Sequence, residues 1–295
     1  MFAAIRVLRP KEWAKNSFCL APLIFSQRAF ELDAVTEASI LFIAFSFLAS
    51  AVYILNDIID RDRDRAHPVK KNRPLASGAL SVPVAIVEAF VVGLGALWLG
   101  AHQSMTVVVV FCIYLVLNIG YTFWLKHLVL VDLFVIAIGF VLRVMAGAAA
   151  IGVAPSQWIL TCTLFISLLI AACKRRSEVV LQGSEAGTRK VLSSYSLKYL
   201  DLVIAVVAGG TILSYALYTL SPQTVEHLGT ADLIYTLPFV IFAILRYVYL
   251  VLERARGESP FELLMRDAPM LIDIVGYVVV TILFVYVLER GGTLE

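Results

Sequence analysis

The sequence has few charged residues for its length. Of its 295 residues only 16% are Asp, Glu, Lys or Arg, whereas 60% are hydrophobic and the mean hydropathy is +0.88. A soluble domain is typically about 25% charged and about 45 to 50% apolar. One water-facing globule cannot bury this much apolar surface, which excludes the soluble, disordered and disulfide-rich secreted classes. The sequence therefore predicts an all-α, polytopic membrane protein.

Patterns typical of disulfides and of thiolate or histidine metal sites are also missing. The four histidines show no ligand spacing, and the four cysteines lie within or at the end of apolar runs without paired spacing. We interpret the cysteines as small core residues. The sequence contains no long linker, no low-complexity tract and no separate polar domain. We therefore expect residues 1–295 to form one integral membrane domain.

The apolar residues are grouped into nine runs separated by short polar loops. Because the bilayer core offers no partner for free backbone groups, each run is predicted to be a helix. The nine predicted spans cover residues 17–30, 36–55, 82–100, 105–124, 128–151, 157–173, 200–220, 233–252 and 270–288. The first is short and contains Pro22, so we expect it to be tilted or incomplete.

Basic residues are unequally divided between the two sides of this arrangement. All 24 lysines and arginines lie on one side except Arg28, Arg143 and Arg290. Lys and Arg are enriched in cytoplasmic loops. We therefore expect a cytoplasmic N-terminus, an outer C-terminus, and a multi-pass protein of the cell (inner) membrane whose active site faces the cytoplasm.

A row of carboxylates follows the second predicted span. If the helix continues, Asn56, Asp60 and Asp64 are four residues apart and Asp57 shares their face. Stacked carboxylates repel one another unless a cation lies between them, and oxygen ligands suit Mg²⁺. The alternative is a solvated loop in which Asp and Arg alternate for solubility. Unpaired carboxylates next to a membrane-buried segment are costly, which favours a metal site formed by Asn56, Asp57, Asp60 and Asp64.

Basic side chains follow the carboxylates directly, at His67, Lys70, Lys71 and Arg73. Lysine and arginine are the usual partners of phosphate oxygens in proteins. We expect these four residues to bind a phosphorylated substrate beside the metal.

The spacing Asn56-Asp57-x-x-Asp60-x-x-x-Asp64 resembles the first signature, NDxxDxxxD, of the UbiA superfamily of intramembrane prenyltransferases. The resemblance implies a nine-helix bundle in which Mg²⁺ binds a diphosphate. It extends over most of the chain.

Three further segments resemble the decaprenyl-phosphate phosphoribosyltransferase branch of this superfamily. They are residues 8–16, which contain Lys15, residues 64–74, and Tyr121-x-x-x-Leu125-Lys126-His127. Arg246 lies in a segment that resembles the closing block of the branch, which implies at most a lid or an element that orients the substrate. The resemblance implies substrate-binding roles for Lys15, Tyr121 and Arg246. It also implies catalytic roles for Asp57, Asp60 and Lys126, although a snorkelling anchor is the alternative for Lys126.

The sequence departs from the aromatic prenyltransferases of the superfamily in one respect. Those proteins carry a second acidic cluster, DxxxD, whereas here Asp132 is followed four residues later by Ile136. Several cations are present instead, at Lys126, Arg143, Lys174, Arg175 and Arg176. Such a site is better matched to two phosphorylated substrates than to one diphosphate and a neutral ring.

Asp132 and Arg143 are about three helical turns apart on the fifth predicted span, so both can point into the bundle. We expect them to bind substrate, with structural pairing to other helices as the alternative. Lys174 and Arg175, in a predicted loop after the sixth span, are interpreted as phosphate ligands or as a stop-transfer anchor. Tyr195 lies in an amphipathic stretch and is a further substrate-binding candidate.

The resemblance implies Mg²⁺-dependent transfer of 5-phosphoribose from phosphoribosyl diphosphate to a polyprenyl phosphate, with release of diphosphate, as in arabinan precursor supply for cell walls. The alternatives are an aromatic prenyltransferase that uses a polyprenyl diphosphate and a transporter, which would favour repeated halves. The expected partners are both substrates and the bilayer, with no nucleic acid and with homo-oligomerisation left open.

Overall fold

The computed structural model describes residues 2–66, 69–182, 194–254 and 266–288, and within these ranges every regular element is helical. We number the eight long helices α1 to α8. They are α1 (Leu32–Ile59), α2 (Val82–Gln103), α3 (Met105–Phe123), α4 (Val131–Ala150), α5 (Gln157–Gln182), α6 (Leu197–Leu220), α7 (Leu237–Tyr249) and α8 (Ala268–Ile282).

Short helical segments connect the long helices or extend them. The α-helical ones are Phe2–Val7, Ala21–Phe25, Arg61–Ala66 and Pro222–Leu228, and the 3-10 ones are Pro10–Leu20, Lys70–Asn72, Leu125–His127 and Asp232–Thr236. Single π-helical turns, Leu250–Arg254 and Leu283–Leu288, follow α7 and α8. The prediction of an all-helical membrane protein is therefore confirmed for the described part of the chain.

Eight of the nine predicted spans coincide with helices that are long and apolar enough to cross a bilayer. The first predicted span, residues 17–30, instead falls on the 3-10 helix Pro10–Leu20 and the short helix Ala21–Phe25. Proline at the start of both segments removes a backbone donor and favours short helical pieces. A ninth crossing at residues 17–30 therefore stays a prediction.

The chain forms two compact units. Unit 1 comprises residues 1–126 and 141–155, and unit 2 comprises residues 127–140 and 156–295, so that α4 contributes one half to each. In unit 1, Phe45 of α1 is fully buried and meets Phe111 and Tyr114 of α3 edge-on, with ring centroids 5.4 and 4.9 Å apart. These aromatic contacts hold α1 against α3.

Small residues allow close helix contacts in both units, as is common in membrane proteins. In unit 1 a Cβ atom added to Gly147 of α4 would overlap the Cys19 carbonyl oxygen. In unit 2 a Cβ on Gly210 of α6 would lie 2.5 Å from the Phe165 ring of α5. The buried core of unit 2 includes Leu169 and Ile204.

Candidate active site

Three carboxylates lie at the end of α1 and in the segment that directly follows it. We call them the acidic cluster: Asp57, Asp60 and Asp64. The helix ends at Ile59, but the Asp60 N–H donates to the Asn56 carbonyl at 2.9 Å and the Asp64 N–H to the Asp60 carbonyl at 2.8 Å. The four-residue spacing is therefore kept through Arg61–Ala66. Asp57 is 2% and Asp64 4% exposed, and Asp60 is half-buried.

Arg73 joins two of these carboxylates. Its Nη1 lies 3.1 Å from Asp57 Oδ1 and 2.6 Å from Asp64 Oδ2. The 3-10 turn Lys70–Asn72 and the extended backbone of Arg73 return the chain to the end of α1. A buried carboxylate is costly unless it is paired, so this cation stabilises both. Arg73, predicted from the sequence to bind a phosphorylated substrate, pairs with two carboxylates in this structure.

Arg9, which the sequence did not single out as a site residue, also contacts Asp57. Its Nη2 donates to Asp57 Oδ1, and its guanidinium lies 5.2 Å from the centre of the Tyr53 ring. The Arg9 backbone has φ 53° immediately before Pro10, a left-handed conformation that is costly for a residue with a side chain. The Arg9-Pro10 pair in the N-terminal block is the sequence signal for this contact, but the left-handed backbone angle of Arg9 cannot be read from it.

Lys126 and Asn56 make further polar contacts at this end of unit 1. Lys126 Nζ lies 3.5 Å from Asp60 Oδ1, and the Lys126 side chain is only 8% exposed. A snorkelling anchor would extend its amine into water, so the observed burial favours a paired cation. The Thr122 hydroxyl of α3 donates to Asn56 Oδ1, a contact that the sequence did not indicate.

The side-chain oxygen atoms of the acidic cluster and of Asn56 suit a hard cation as ligands, because carboxylate and amide oxygens are the ligands that Mg²⁺ prefers. Asp57 and Asp64 both direct an oxygen at one positively charged nitrogen of Arg73. Among the described residues, however, no three His, Cys, Asp or Glu side chains lie close enough together to hold a metal ion. Basic side chains lie among the carboxylates instead.

The other predicted residues of unit 1 lie on several elements. Lys15 is exposed and paired with Glu12. Lys70 and Lys71 lie on the 3-10 turn before Arg73, and Tyr121 is half-buried on α3. His67 lies outside the described residues.

Arg143 is buried within unit 1, at 5% exposure. Its Nε donates to Asn16 Oδ1 at 2.8 Å and its Nη2 to the Tyr114 hydroxyl at 3.2 Å. The guanidinium also lies 4.8 Å from the centre of the Phe45 ring. These contacts tie α4 to α1, α3 and the segment Pro10–Leu20, which favours the structural alternative for Arg143.

Asp132 has a separate set of partners within unit 2. Asp132 is fully buried, and its Oδ2 lies 2.6 Å from Nη2 of Arg175. The Tyr195 hydroxyl donates to Asp132 Oδ1 at 2.7 Å and accepts from the Leu130 N–H at 2.6 Å. Burial, together with the hydrogen bond to Asp132, raises the pKa of Tyr195 above its ordinary value, so the phenol stays protonated and can donate.

The basic run at residues 174–176 belongs to a helix. The predicted loop was wrong here, because α5 continues to Gln182. Lys174 is therefore exposed while Arg175, one residue later, points inward and also pairs with Glu178. Arg176 Nε lies 2.6 Å from Asp201 Oδ1 of α6.

Arg246 of α7 forms a two-pronged ion pair with Asp267. Its Nε and Nη2 lie 3.0 and 2.8 Å from the two carboxylate oxygens. Asp267 Oδ1 also accepts from the Met270 N–H at 3.1 Å and so caps α8. In this structure the predicted substrate ligand Arg246 therefore holds a helix end.

In the part of the chain that the structure describes, eight long apolar helices and a cluster of paired charges at the end of α1 define a multi-pass membrane protein with a polar site beside its first long helix. The UbiA prenyltransferase family matches residues 18–265. The chain belongs to the UbiA prenyltransferase family.

Several relatives cover most of the sequence. The chain is 37% identical over 298 residues to decaprenyl-phosphate phosphoribosyltransferase from Corynebacterium glutamicum, covering 96% of this chain and 87% of that one. It is 33% identical to the protein of that name from Mycolicibacterium smegmatis (89% and 86% covered). It is 34% identical to the one from Mycobacterium tuberculosis (89% and 87% covered).

Solved structures share the fold. A UbiA homologue from Archaeoglobus fulgidus bound to GPP and Mg²⁺ superposes with a TM-score of 0.70 over 96% of each chain, at 19% sequence identity. The same homologue bound to DMAPP and Mg²⁺ gives 0.69, also at 19% identity and 96% coverage of each chain. The UbiA-like fold expected from the sequence is therefore confirmed.

Proposed function

We propose that this protein transfers 5-phosphoribose from phosphoribosyl diphosphate to a polyprenyl (decaprenyl) phosphate and releases diphosphate. The observation that carries the proposal is the acidic cluster in direct contact with Arg9, Arg73 and Lys126. This combination suits a phosphorylated donor and a divalent cation. Relatives 33% to 37% identical over 89% to 96% of the chain carry the name of this activity, which supports the choice of substrates.

In this proposal Asn56, Asp57, Asp60 and Asp64 would hold Mg²⁺. When bound, the ion supplies positive charge to the diphosphate oxygens as the bond to the sugar breaks. Lys126, which lies beside Asp60, and Arg73, which follows the turn Lys70–Asn72, would donate to the leaving-group oxygens. Preorganised donors of this kind stabilise a transition state with little rearrangement.

The reaction breaks the bond between the anomeric carbon and the diphosphate oxygen, and the electron pair leaves with the diphosphate. An oxygen of the acceptor phosphate then forms the new bond to that carbon. The acceptor is already anionic near neutral pH, so no strong general base is required. Lys70 and Lys71, on the turn before Arg73, would bind phosphate oxygens of the donor.

The location belongs to the same proposal. The charge distribution of the sequence favours an inner-membrane protein whose acidic cluster faces the cytoplasm, where a water-soluble sugar donor is available. The polyprenyl chain would remain among the lipids beside the apolar helix faces. We treat the chain as one membrane-embedded enzyme.

A second candidate is an aromatic prenyltransferase that uses a polyprenyl diphosphate. It is favoured by the structural similarity to homologues bound to GPP and to DMAPP with Mg²⁺. Both candidates use a diphosphate leaving group and the same acidic cluster, so they differ in the donor and the acceptor.

The deciding experiment uses purified protein in detergent with labelled phosphoribosyl diphosphate, decaprenyl phosphate and Mg²⁺. We expect label in the lipid extract, and loss of that product in Asp57→Asn and Asp64→Asn. Asp62→Asn is the matched control, because Asp62 lies in the same segment with its side chain 92% exposed. No product with this pair, alongside product from an isoprenyl diphosphate and an aromatic acceptor, would select the second candidate.

A further inference from the structure

Every carboxylate of the acidic cluster has a basic partner within unit 1. Asp57 accepts from Arg9 and Arg73, and Asp64 accepts from Arg73. Asp60 lies 3.5 Å from Lys126 and from Arg63. The Arg63 side chain is 59% exposed, so water screens its contribution. The three carboxylates and their three less exposed cations therefore balance in formal charge without a metal.

Arg73 occupies the point at which two carboxylates converge. One nitrogen, Nη1, contacts both Asp57 and Asp64. A divalent ion held by these two residues would approach the same oxygen atoms. A cation that binds there while Arg73 remains would be repelled by the guanidinium at short range. Arg73 and the metal are therefore alternatives at these oxygens.

The three side chains differ in how much of their surface is exposed. The Asp57 and Asp64 side chains are 3% and 6% exposed, whereas that of Arg73 is 30% exposed. Arg73 can leave towards solvent without opening the core, but the two carboxylates cannot. Once Arg73 leaves, Asp57 keeps Arg9 but the buried Asp64 needs another cation, because an uncompensated buried charge is strongly destabilising.

We propose that Arg73 is an internal counter-ion that competes with the divalent metal for Asp57 and Asp64. The metal then binds tightly only when the diphosphate of the donor draws the Arg73 guanidinium away. Arginine suits this exchange because its planar group pairs with carboxylates and with phosphates in the same two-pronged manner. The inference rests on the proposed function, since it requires a diphosphate donor.

The exchange couples the two ligands thermodynamically. If the donor raises the affinity for the metal by some factor, the metal raises the affinity for the donor by the same factor. Metal and donor therefore bind as a pair. Without donor, the carboxylates of the acidic cluster stay paired with Arg73, Arg9 and Lys126.

The test measures binding of Mn²⁺ alone to the purified full-length protein in detergent, through the loss of the free-ion electron paramagnetic resonance signal. Mn²⁺ is the probe because it prefers the same oxygen ligands as Mg²⁺. We expect Arg73→Gln to bind Mn²⁺ at least about tenfold more tightly than the wild type, because a nearby positive charge is removed. Equal or weaker binding by this variant would overturn the inference.

Arg65→Gln is the matched control. Arg65 lies in the same polar segment, carries the same charge, and contacts Asp62 and the Ala76 carbonyl rather than the acidic cluster. Because its side chain is 47% exposed, we expect a change in Mn²⁺ affinity of less than about threefold. An increase equal to that of Arg73→Gln would mean that general surface charge, and not the shared nitrogen, controls the metal.

Arg73→Lys and the wild type keep the test decisive if Arg73→Gln does not fold. Arg73→Lys retains the positive charge, so we expect it to bind Mn²⁺ alone about as weakly as the wild type. Wild-type affinity for Mn²⁺ should also rise when phosphoribosyl diphosphate is added. Equal affinity with and without any diphosphate donor would contradict the exchange.

The same titration separates this inference from the proposed function. If an isoprenyl diphosphate raises the Mn²⁺ affinity of the wild type and phosphoribosyl diphosphate does not, the exchange at Arg73 holds and the phosphoribose donor is wrong. If phosphoribosyl diphosphate is transferred but neither donor changes the Mn²⁺ affinity, the function holds and the role of Arg73 is wrong.

Discussion

The Tyr195 hydroxyl donates a hydrogen bond to Asp132 Oδ1 over 2.7 Å, and the Asp132 carboxylate is fully buried at the start of α4. The same hydroxyl accepts from the N–H of Leu130, whose backbone has φ 66°. A leucine rarely adopts this left-handed conformation. One phenol therefore holds both the buried carboxylate and the strained turn that precedes α4.

These contacts favour a structural role for Tyr195 over the substrate-binding role predicted from the sequence. Tyr195→Phe removes the hydroxyl but keeps the ring, and leaves Leu130 N–H and Asp132 with one partner fewer. We expect a loss of about 1–3 kcal/mol in the free energy of unfolding, measured as a lower thermal midpoint in detergent. The KM for phosphoribosyl diphosphate should not change.

Tyr199→Phe is the control for this substitution. The Tyr199 ring stacks on Tyr195 with centroids 6.3 Å apart, and the residue is 38% exposed, so we expect little change in the midpoint. A higher KM in Tyr195→Phe with an unchanged midpoint would instead support the substrate-binding role.

The parts of the fold that the sequence predicted are those set by local patterns. Apolar runs long enough to cross a bilayer located all eight long helices, because backbone groups in lipid must bond within their own segment. The helical period that relates Asn56, Asp60 and Asp64 continues past Ile59, as their spacing predicted.

The parts that the sequence did not predict depend on partners distant in the chain or on unusual backbone angles. Nothing local indicates that Arg175 turns inward to Asp132 while Lys174 stays exposed, because that follows from α5 continuing through the basic run. The φ of Arg9 that brings it to Asp57 is likewise set by tertiary packing. Individual ion pairs therefore needed the structure.

Gly147 offers a test of the close contact between α4 and the segment Pro10–Leu20. A methyl group at this position would overlap the backbone oxygen of Cys19, which cannot move as a flexible side chain can. We expect Gly147→Ala to lower the free energy of unfolding by about 1–3 kcal/mol or more. Thermal unfolding of the purified variant measures this.

Gly95→Ala in α2 is the matched control for Gly147→Ala. Nothing lies within 4 Å of a Cβ added at Gly95, so we expect a neutral change or a gain of up to about 1 kcal/mol from helix propensity. Equal effects of the two alanines would show that the contact between Gly147 and Cys19 is not tight.

The Arg246–Asp267 pair separates two roles for Arg246. If it holds the start of α8, Asp267→Ala should lose both the ion pair and the cap on Met270, at a cost of about 0.5–2 kcal/mol for the cap. Asp267→Asn keeps an acceptor for the cap and should lose less.

Arg246→Lys should lower the thermal midpoint without raising the KM for the donor. A raised KM with an unchanged midpoint would favour the predicted substrate contact.

Lys126 tests whether a buried cation beside the acidic cluster acts on the leaving group. Its side chain is 8% exposed and lies 3.5 Å from Asp60, so its amine is held near the proposed diphosphate position. Removing one such donor from a preorganised site typically lowers kcat by about a hundredfold or more. We therefore expect Lys126→Gln to reduce kcat for phosphoribosyl transfer by that order, and Lys126→Arg to restore part of it, because arginine keeps the charge.

Lys198→Gln, at an exposed position at the start of α6, is the control and should leave kcat unchanged. If Lys126 only anchors the protein in the membrane, its loss should not change the stabilisation of the transition state. A Lys126→Gln variant with wild-type kcat and a lowered thermal midpoint would therefore assign Lys126 to anchoring.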